Sequence, residues 1–481
     1  MFPRAVFFLA VLSALHAHAA TPAQWRSRSI YQVLTDRFAR SDGSTSAPCD
    51  TADRVYCGGT YEGIIDQLDY IQGMGFTAIW ISPIVQNIAG TPSSGEAYHG
   101  YWAQDLYRLN PHFGSSSSLK ALSAALHARN MYLMLDVAPN HFAHAGHGAT
   151  TDFSRFVPFD SASYFHPFCW IRDYTNQTEV EECWLGDNTV ALADVNTSLE
   201  SVRHTYSAWI AGVVAEYEID GLRVDTAKHV DAEFWTAFLA AAGVFSLGEV
   251  LDGNATYTCR YQGVLDSVLN YPVYYTLVRG FSGSGSLVEL ARMGARVADM
   301  CADSTLVGSF SENHDMPRFA AHSKDLAMAK NVLAYTILAD GIPIIYAGQE
   351  QHFTGGFDPA NREAVWLSSY TTDSPLYRHI AALNQLRNHA IAVETIEKTR
   401  VLGAGNSFLV LRKGRVVTLL TNSRNKATRK VVGTGYGRGE RVVDVLACVE
   451  ALVGTGGVMK VVVEKGLPKV GMCFLRGREE R

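Results

Sequence analysis

Short, almost wholly apolar runs alternate with amphipathic stretches over most of the chain. The runs fall at 29–34, 77–84, 131–137, 219–224, 244–250, 264–269, 305–310 and 342–347. Between them lie helical patterns such as Ile64, Ile65, Leu68 and Ile71, whose spacing puts apolar side chains on one face. Strands buried on both faces read as continuous apolar runs, and eight of them separated by helices predict a closed barrel of parallel strands. A doubly wound open sheet is the alternative, since periodicity does not distinguish an open sheet from a closed one. No GxGxxG follows the first run, which argues against a dinucleotide-binding version.

Two interruptions complete the plan. Between the third and fourth runs, residues 141–194 are rich in aromatic, Asp, Asn and Ser residues and hold Cys169 and Cys183. An insert of that length inside a compact barrel is usually functional. From about Thr399 the period changes to two, as in Phe408-Leu409-Val410-Leu411, a Lys413-Gly414 turn, and Val416 to Leu420. The expectation is an α/β fold: a (β/α)8 barrel over 20–140 and 195–396, a loop-rich inserted domain over 141–194, and a C-terminal all-β domain over 397–481.

The first 19 residues break this pattern. Arg4, an apolar run from Ala5 to Leu15 and the small-residue sequence Ala17-His18-Ala19 are the marks of a cleavable signal peptide, and the run falls short of the roughly 20 residues that span a bilayer. The product is therefore expected to be secreted, without membrane attachment. Eight cysteines on an oxidising route favour disulfides, and no CxxC points to a metal cluster. Sequons at Asn176, Asn196 and Asn254 fit the same route. With 481 residues, 47% of them hydrophobic, the chain has ample material for a large core. A net charge of -6 and no long run of Lys or Arg exclude a nucleic-acid partner and leave a neutral polymer open.

Barrel enzymes place their chemistry at the C-terminal ends of the strands. Carboxylates stand there in Gly221-Leu222-Arg223-Val224-Asp225, in Gly248-Glu249-Val250 and in Glu312-Asn313-His314-Asp315. Two carboxyl groups about 5 Å apart are what a retaining glycosidase needs, one to attack the anomeric carbon and one to protonate the leaving oxygen. Taken singly each motif reads as an ion pair, a loop start or a surface turn. Taken together, with Tyr31-Gln32-Val33-Leu34-Thr35-Asp36-Arg37-Phe38, Ala97-Tyr98-His99-Gly100-Tyr101-Trp102, Asp136-Val137-Ala138-Pro139-Asn140-His141 and Asp358-Pro359-Ala360-Asn361-Arg362-Glu363, the chain resembles the alpha-amylase family of glycoside hydrolases, most closely its secreted fungal members.

The resemblance implies endo-acting hydrolysis of alpha-1,4-glucosidic bonds in starch, glycogen and maltooligosaccharides by a monomer. It assigns Asp225 as nucleophile, Glu249 as acid/base and Asp315 as the carboxylate that holds the distorted sugar. Arg223 is expected to keep Asp225 ionised, whereas Glu249 needs a raised pKa to carry its proton. The resemblance further gives His141 and His314 the hydroxyls of the sugar being cleaved, Tyr101 and Trp102 its apolar faces, Asp358 and Arg362 the non-reducing side, and Lys228 with His229 the aglycone. It implies a calcium ion on Asn140, Glu181, Asp194 and the backbone carbonyl of His229, and the disulfides Cys49–Cys57, Cys169–Cys183, Cys259–Cys301 and Cys448–Cys473. Pro139, Met316 and Phe357 depart from the family pattern. The rival readings are a 4-alpha-glucanotransferase of the same superfamily and a noncatalytic carbohydrate-binding barrel.

Overall fold

A computed structural model describes residues 20–393 and 397–472. The expected signal peptide and Cys473, the expected partner of Cys448, lie outside the described residues. All eight apolar runs form parallel strands: β1 (Ile30–Val33), β2 (Ala78–Ile81), β3 (Tyr132–Val137), β4 (Gly221–Val224), β5 (Phe245–Gly248), β6 (Ser267–Val268), β7 (Gly308–Ser309) and β8 (Ile342–Tyr346). They pair in the order β6-β5-β4-β3-β2-β1-β8-β7. The ends of that row meet through a single parallel bridge, Leu269 to Gly308, with the Asn270 amide donating to the Gly308 carbonyl at 2.9 Å. The barrel is thus closed, and the open-sheet alternative is set aside.

β6 and β7 are shorter than their apolar runs. Residues 260–263 curl into a helical turn, and Asp266 spends its carboxylate on the amide and hydroxyl of Ser246. Likewise Asp303 caps Thr305 and Leu306, leaving little of that run extended. Local side-chain bonds to backbone compete with the ladder and win where these short polar residues stand.

Helices follow the strands with ordinary start and stop chemistry. Asn270 caps the helix Tyr271–Ser282, Pro272 sits in its first turn, and Gly283 ends it at φ 93°, a conformation other residues rarely take. The core is continuous between strands and helices, with Trp25, Trp80, Trp235 and Tyr206 buried in it. Against that apolar background the C-terminal ends of the strands carry a buried polar layer, Gln32, Asp136, Arg223 and Ser309. Polar groups placed where local rules ask for Val or Ile mark a functional surface.

The insert pairs His141–Ala145 with Val190–Asp194 antiparallel, His141 opposite Asp194, and adds the short strand Leu185–Gly186. This pairing brings the two ends of the insert together on the barrel rim. After the barrel, Arg400–Gly405, Phe408–Lys413, Val416–Thr421, Lys469–Met472, Arg441–Asp444 and Val449–Leu452 form one six-stranded antiparallel sheet, and Ala427–Val431 pairs with Met459–Val463. That sheet is fastened to the barrel helix Leu326–Leu338 by buried Asn331, which donates to the carbonyl of Gly466 and accepts from the amide of Thr421. Three disulfides, Cys49–Cys57, Cys169–Cys183 and Cys259–Cys301, are present as expected.

Candidate active site

A cleft of about 720 Å³ opens at the C-terminal end of the barrel, between it and the insert. At its floor the buried guanidinium of Arg223 gathers the carboxylates. Its Nη1 donates to both oxygens of Asp136 (2.9 and 3.0 Å) and to Asp225 Oδ1 (2.7 Å), and its Nη2 lies 3.1 Å from Glu249 Oε2. Asp225 and Glu249 directly follow β4 and β5, which pair in register with Leu247 opposite Arg223, so neighbouring strands deliver the two acids to the two ends of one guanidinium. Between them Thr226 adopts φ 47°, a strained conformation for a β-branched residue, and its amide donates to Glu249 Oε2 at 3.1 Å. Asp315, on the loop after β7, faces the same space, 3.3 Å from His314 Nε2 and 3.5 Å from Arg362 Nη2.

The proton balance of this cluster differs from the expectation. Burial pushes Asp225 well above the ordinary range, although Arg223 opposes it, and burial together with the charge of Glu249 pushes Asp315 up to about 7. Glu249 is instead held below its usual value: Arg223, the Thr226 amide and the Tyr271 hydroxyl (3.3 Å) outweigh its own burial. Three donors on Glu249 against one on Asp225 place the cluster's proton away from Glu249 in the free protein.

Around the acids stand the other expected residues. Tyr101 donates its hydroxyl to Asp136 (2.7 Å) and stacks on the His314 ring at 5.2 Å and 4°. Trp102 meets His99 edge-on, and both line the cleft. Asp358 and Arg362, on the loop after β8, form a 2.9 Å ion pair, and Arg362 is buried by the Tyr98 ring and the His314 carbonyl. Lys228 Nζ donates to the Leu251 carbonyl at 3.0 Å. The His229 ring bonds the Val180 carbonyl through Nδ1, which leaves Nε2 as the ring's acceptor, and the residue lines the cleft. Of the departures, Pro139 gives its carbonyl to Tyr206, the Met316 carbonyl is held by Asn361, and the Phe357 ring is 68% exposed.

Several lining residues were given no role in the sequence reading, His99 standing in a quoted motif. His99, Tyr174, Leu185, Leu192, Leu251 and Asp252 all face the cleft. Tyr174, Leu185 and Leu192 lie in the insert, where no period betrays which face is inward. Arg54, at φ 52°, reaches Asp358 Oδ2 at 3.3 Å, and only the fold shows that the Cys49–Cys57 loop meets the loop after β8.

The residues expected to hold calcium fit a hard cation. Burial drives the pKa of His141 down to about 4, so its ring is neutral and has one proton to donate. Its Nε2 faces the Tyr101 carbonyl at 3.1 Å, so the proton is there and Nδ1 must accept, from the Asn140 amide nitrogen at 3.2 Å. The Asn140 amide oxygen is then aimed the other way, 3.2 Å from Asp194 Oδ2 and 3.0 Å from the His229 carbonyl oxygen. In that orientation three oxygens face one another with no hydrogen between them, an arrangement that suits a hard cation. Among the described residues no group of three or more His, Cys, Asp and Glu side chains is placed to hold a metal ion by itself, so a cation here would draw on amide and backbone oxygens as well. Glu181 is turned toward Gln177, 2.7 Å from its amide nitrogen, on the same helix as Val180.

Comparison with known proteins identifies the fold and the family. Residues 32–367 match the family model described as "Alpha amylase, catalytic domain", and residues 401–473 match "Alpha-amylase, domain C". The chain is 57% identical over 375 residues to "Alpha-amylase 1" of Lipomyces kononenkoae, covering 78% of this chain but only 60% of that protein's length. It is 48% identical to "Alpha-amylase 2" of Schwanniomyces occidentalis over 95% of this chain and 92% of the other. The solved structure of an alpha-amylase from Malbranchea cinnamomea superposes with a TM-score of 0.93 at 52% identity, covering 94% and 98% of the two chains. With its barrel and its terminal sheet each accounted for by a match, the chain belongs to the alpha-amylase family of glycoside hydrolases.

Proposed function

We propose that the protein is an endo-acting alpha-amylase that cleaves alpha-1,4-glucosidic bonds in starch, glycogen and maltooligosaccharides with retention of configuration. The observation that carries this reading is the pair Asp225 and Glu249 on the two ends of one buried guanidinium at the floor of an open cleft. One acid attacks the anomeric carbon and the other protonates the leaving oxygen, then deprotonates the water that releases the glycosyl enzyme. Asp225 takes the first role and Glu249 the second.

The inverted proton balance of the free protein fits this division once a sugar enters. Asp225 receives one protein donor, whereas substrate hydroxyls supply further donors to Asp225 and Asp315 and so favour their ionised forms. The proton of the cluster then resides on Glu249, whose Oε1 has only the long bond from Tyr271 and is left for the glycosidic oxygen. His141, His314, Asp358 and Arg362 hold the glycone, Tyr101 and Trp102 flank it, and Lys228 with His229 meet the aglycone.

Asn140, Asp194 and the His229 carbonyl, with Glu181 beside them, would hold calcium. The ion supplies the positive charge that lets these oxygens share one space and clips the insert to the barrel. The division into barrel, inserted domain (141–194) and C-terminal domain (397–481) is part of the same reading, as is a secreted monomer. Among the described residues no helix is long and apolar enough to cross a membrane. Digestion of soluble starch followed by anomer-resolved NMR tests the proposal. The expected result is a rapid fall in chain length with alpha-anomeric ends released first, and a loss of roughly 10²- to 10⁴-fold in rate for Glu249→Gln with an unchanged melting curve. Beta-anomeric products, or undiminished turnover in that variant, would overturn it.

A further inference from the structure

Beneath the cleft, the first barrel strand carries one polar side chain among apolar neighbours. Gln32 is 2% exposed, its amide nitrogen lies 2.7 Å from His314 Nδ1, and its amide oxygen has no hydrogen-bond partner among the described residues. A buried carbonyl without a donor is a cost to the fold, so stability does not account for an amide at this position.

The proton on His314 can be located without reference to that amide. Nε2 lies 3.3 Å from Asp315, and in the working state, where sugar hydroxyls keep that carboxylate ionised, the contact is favourable only with the proton on Nε2. The groups around the ring are Asp315 on its own loop, Arg223 from β4, Arg362 from the loop after β8, and His99 and Tyr101 from the loop after β2. Burial and the two guanidinium groups keep the ring neutral. A neutral ring with its proton on Nε2 presents a lone pair at Nδ1, and the group facing that lone pair is the Gln32 amide.

From this geometry we infer that Gln32 is a positioning residue: by donating to Nδ1 it fixes His314 in the tautomer that turns an N–H, not a lone pair, toward Asp315 and the sugar. The inference rests on reading His314 as a contact of the sugar being cleaved. It also says what the substitution Gln32→Glu would do. The protonated carboxyl group of that variant donates as the amide does, and its ionised carboxylate beside a protonated ring still leaves Nε2–H in place. Loss of that one proton as pH rises leaves the carboxylate holding Nδ1–H, and Nε2 then turns a lone pair to Asp315.

The test uses the full chain and maltoheptaose. Gln32→Met is expected to lower kcat on the order of 10- to 100-fold with KM nearly unchanged. Gln32→Glu is expected to keep most of its activity at acid pH and to lose it as pH rises, below the alkaline limit of the unaltered protein. Nitrogen-15 NMR of histidine-labelled protein, with the signal identified by its loss in His314→Gln, reports the tautomer directly and needs no Gln32 variant to fold. The Nε2–H form in the unaltered protein and a shift of the alkaline limit in Gln32→Glu support the inference. The Nδ1–H form, or a Gln32→Glu profile of unaltered shape, overturns it. Failure of the unaltered protein to cut maltoheptaose counts instead against the reading of the cleft as an amylase site.

Discussion

At the scale of single residues, the cleft is a contest over few protons. Asp136, Asp225, Glu249 and Asp315 share Arg223 and Arg362 as counter-charges, so the four acids retain a proton toward neutrality, as the value of about 7 for Asp315 expresses. Activity that depends on this proton is expected to fall as pH rises through about 7. Removing one negative charge makes the remaining acids easier to ionise. Asp315→Asn should therefore shift the alkaline limb of kcat/KM to lower pH, measured on the residual hydrolysis of an aryl maltotrioside. A limb that stays in place or moves upward would contradict the shared-proton account. Asp225, Glu249 and Asp315 were legible in the sequence because each stands at or just beyond the end of an apolar run, within motifs that resemble those of one family. Asp136 stood in a quoted motif with no role attached, since its partners Arg223, Tyr101 and Trp80 come from three other strands or loops.

Among the elements, the loops after β7 and β8 depend on one another through buried Arg318. Its Nε donates to Glu363 at 3.0 Å, and its Nη1 donates to the Ala347 carbonyl at 2.9 Å and lies 3.4 Å from Glu312. Glu363 in turn accepts from the Gly355 amide at 2.7 Å, so one side chain ties the loop bearing Asp315 to the loop bearing Asp358 and Arg362. Arg318→Met leaves two acids without their counter-ion and is expected to cost about 3–5 kcal/mol in urea denaturation, with weaker binding of maltooligosaccharides. A change under about 1 kcal/mol would assign the cluster no structural weight. The eight strands were legible as runs of apolar residues. Their lengths were not, because Asp266 and Asp303 act through side-chain bonds that no hydropathy pattern records.

For the molecule as a whole, three parts depend on junctions: the insert returns to the barrel rim beside Asn140, and the terminal sheet is held by Asn331. Chelation of calcium should loosen the first junction. With free calcium at about 100 times its Kd, removal is worth roughly 2.7 kcal/mol, or, for a chain of this size, a melting temperature lower by about 3 °C. A melting curve indifferent to EDTA would count against a cation at the oxygens around Asn140. The composition of the insert was enough to flag it, but its inward face emerged only with the fold.

The lone Leu269–Gly308 bridge has a further consequence. Every other boundary of the ring is a ladder of at least two pairs, so a breathing barrel will part first at this single tooth. Glu249 stands on one side of the gap and Asp315 on the other, and at the cleft end Tyr271 laces them, its hydroxyl accepting from Asn313 at 2.9 Å and donating to Glu249. Warming should therefore silence the enzyme some degrees before its helices melt, with the amide of Asn270, which donates across the gap to Gly308, exchanging early. Simultaneous loss of turnover and ellipticity would show that the stitch holds as long as the cloth.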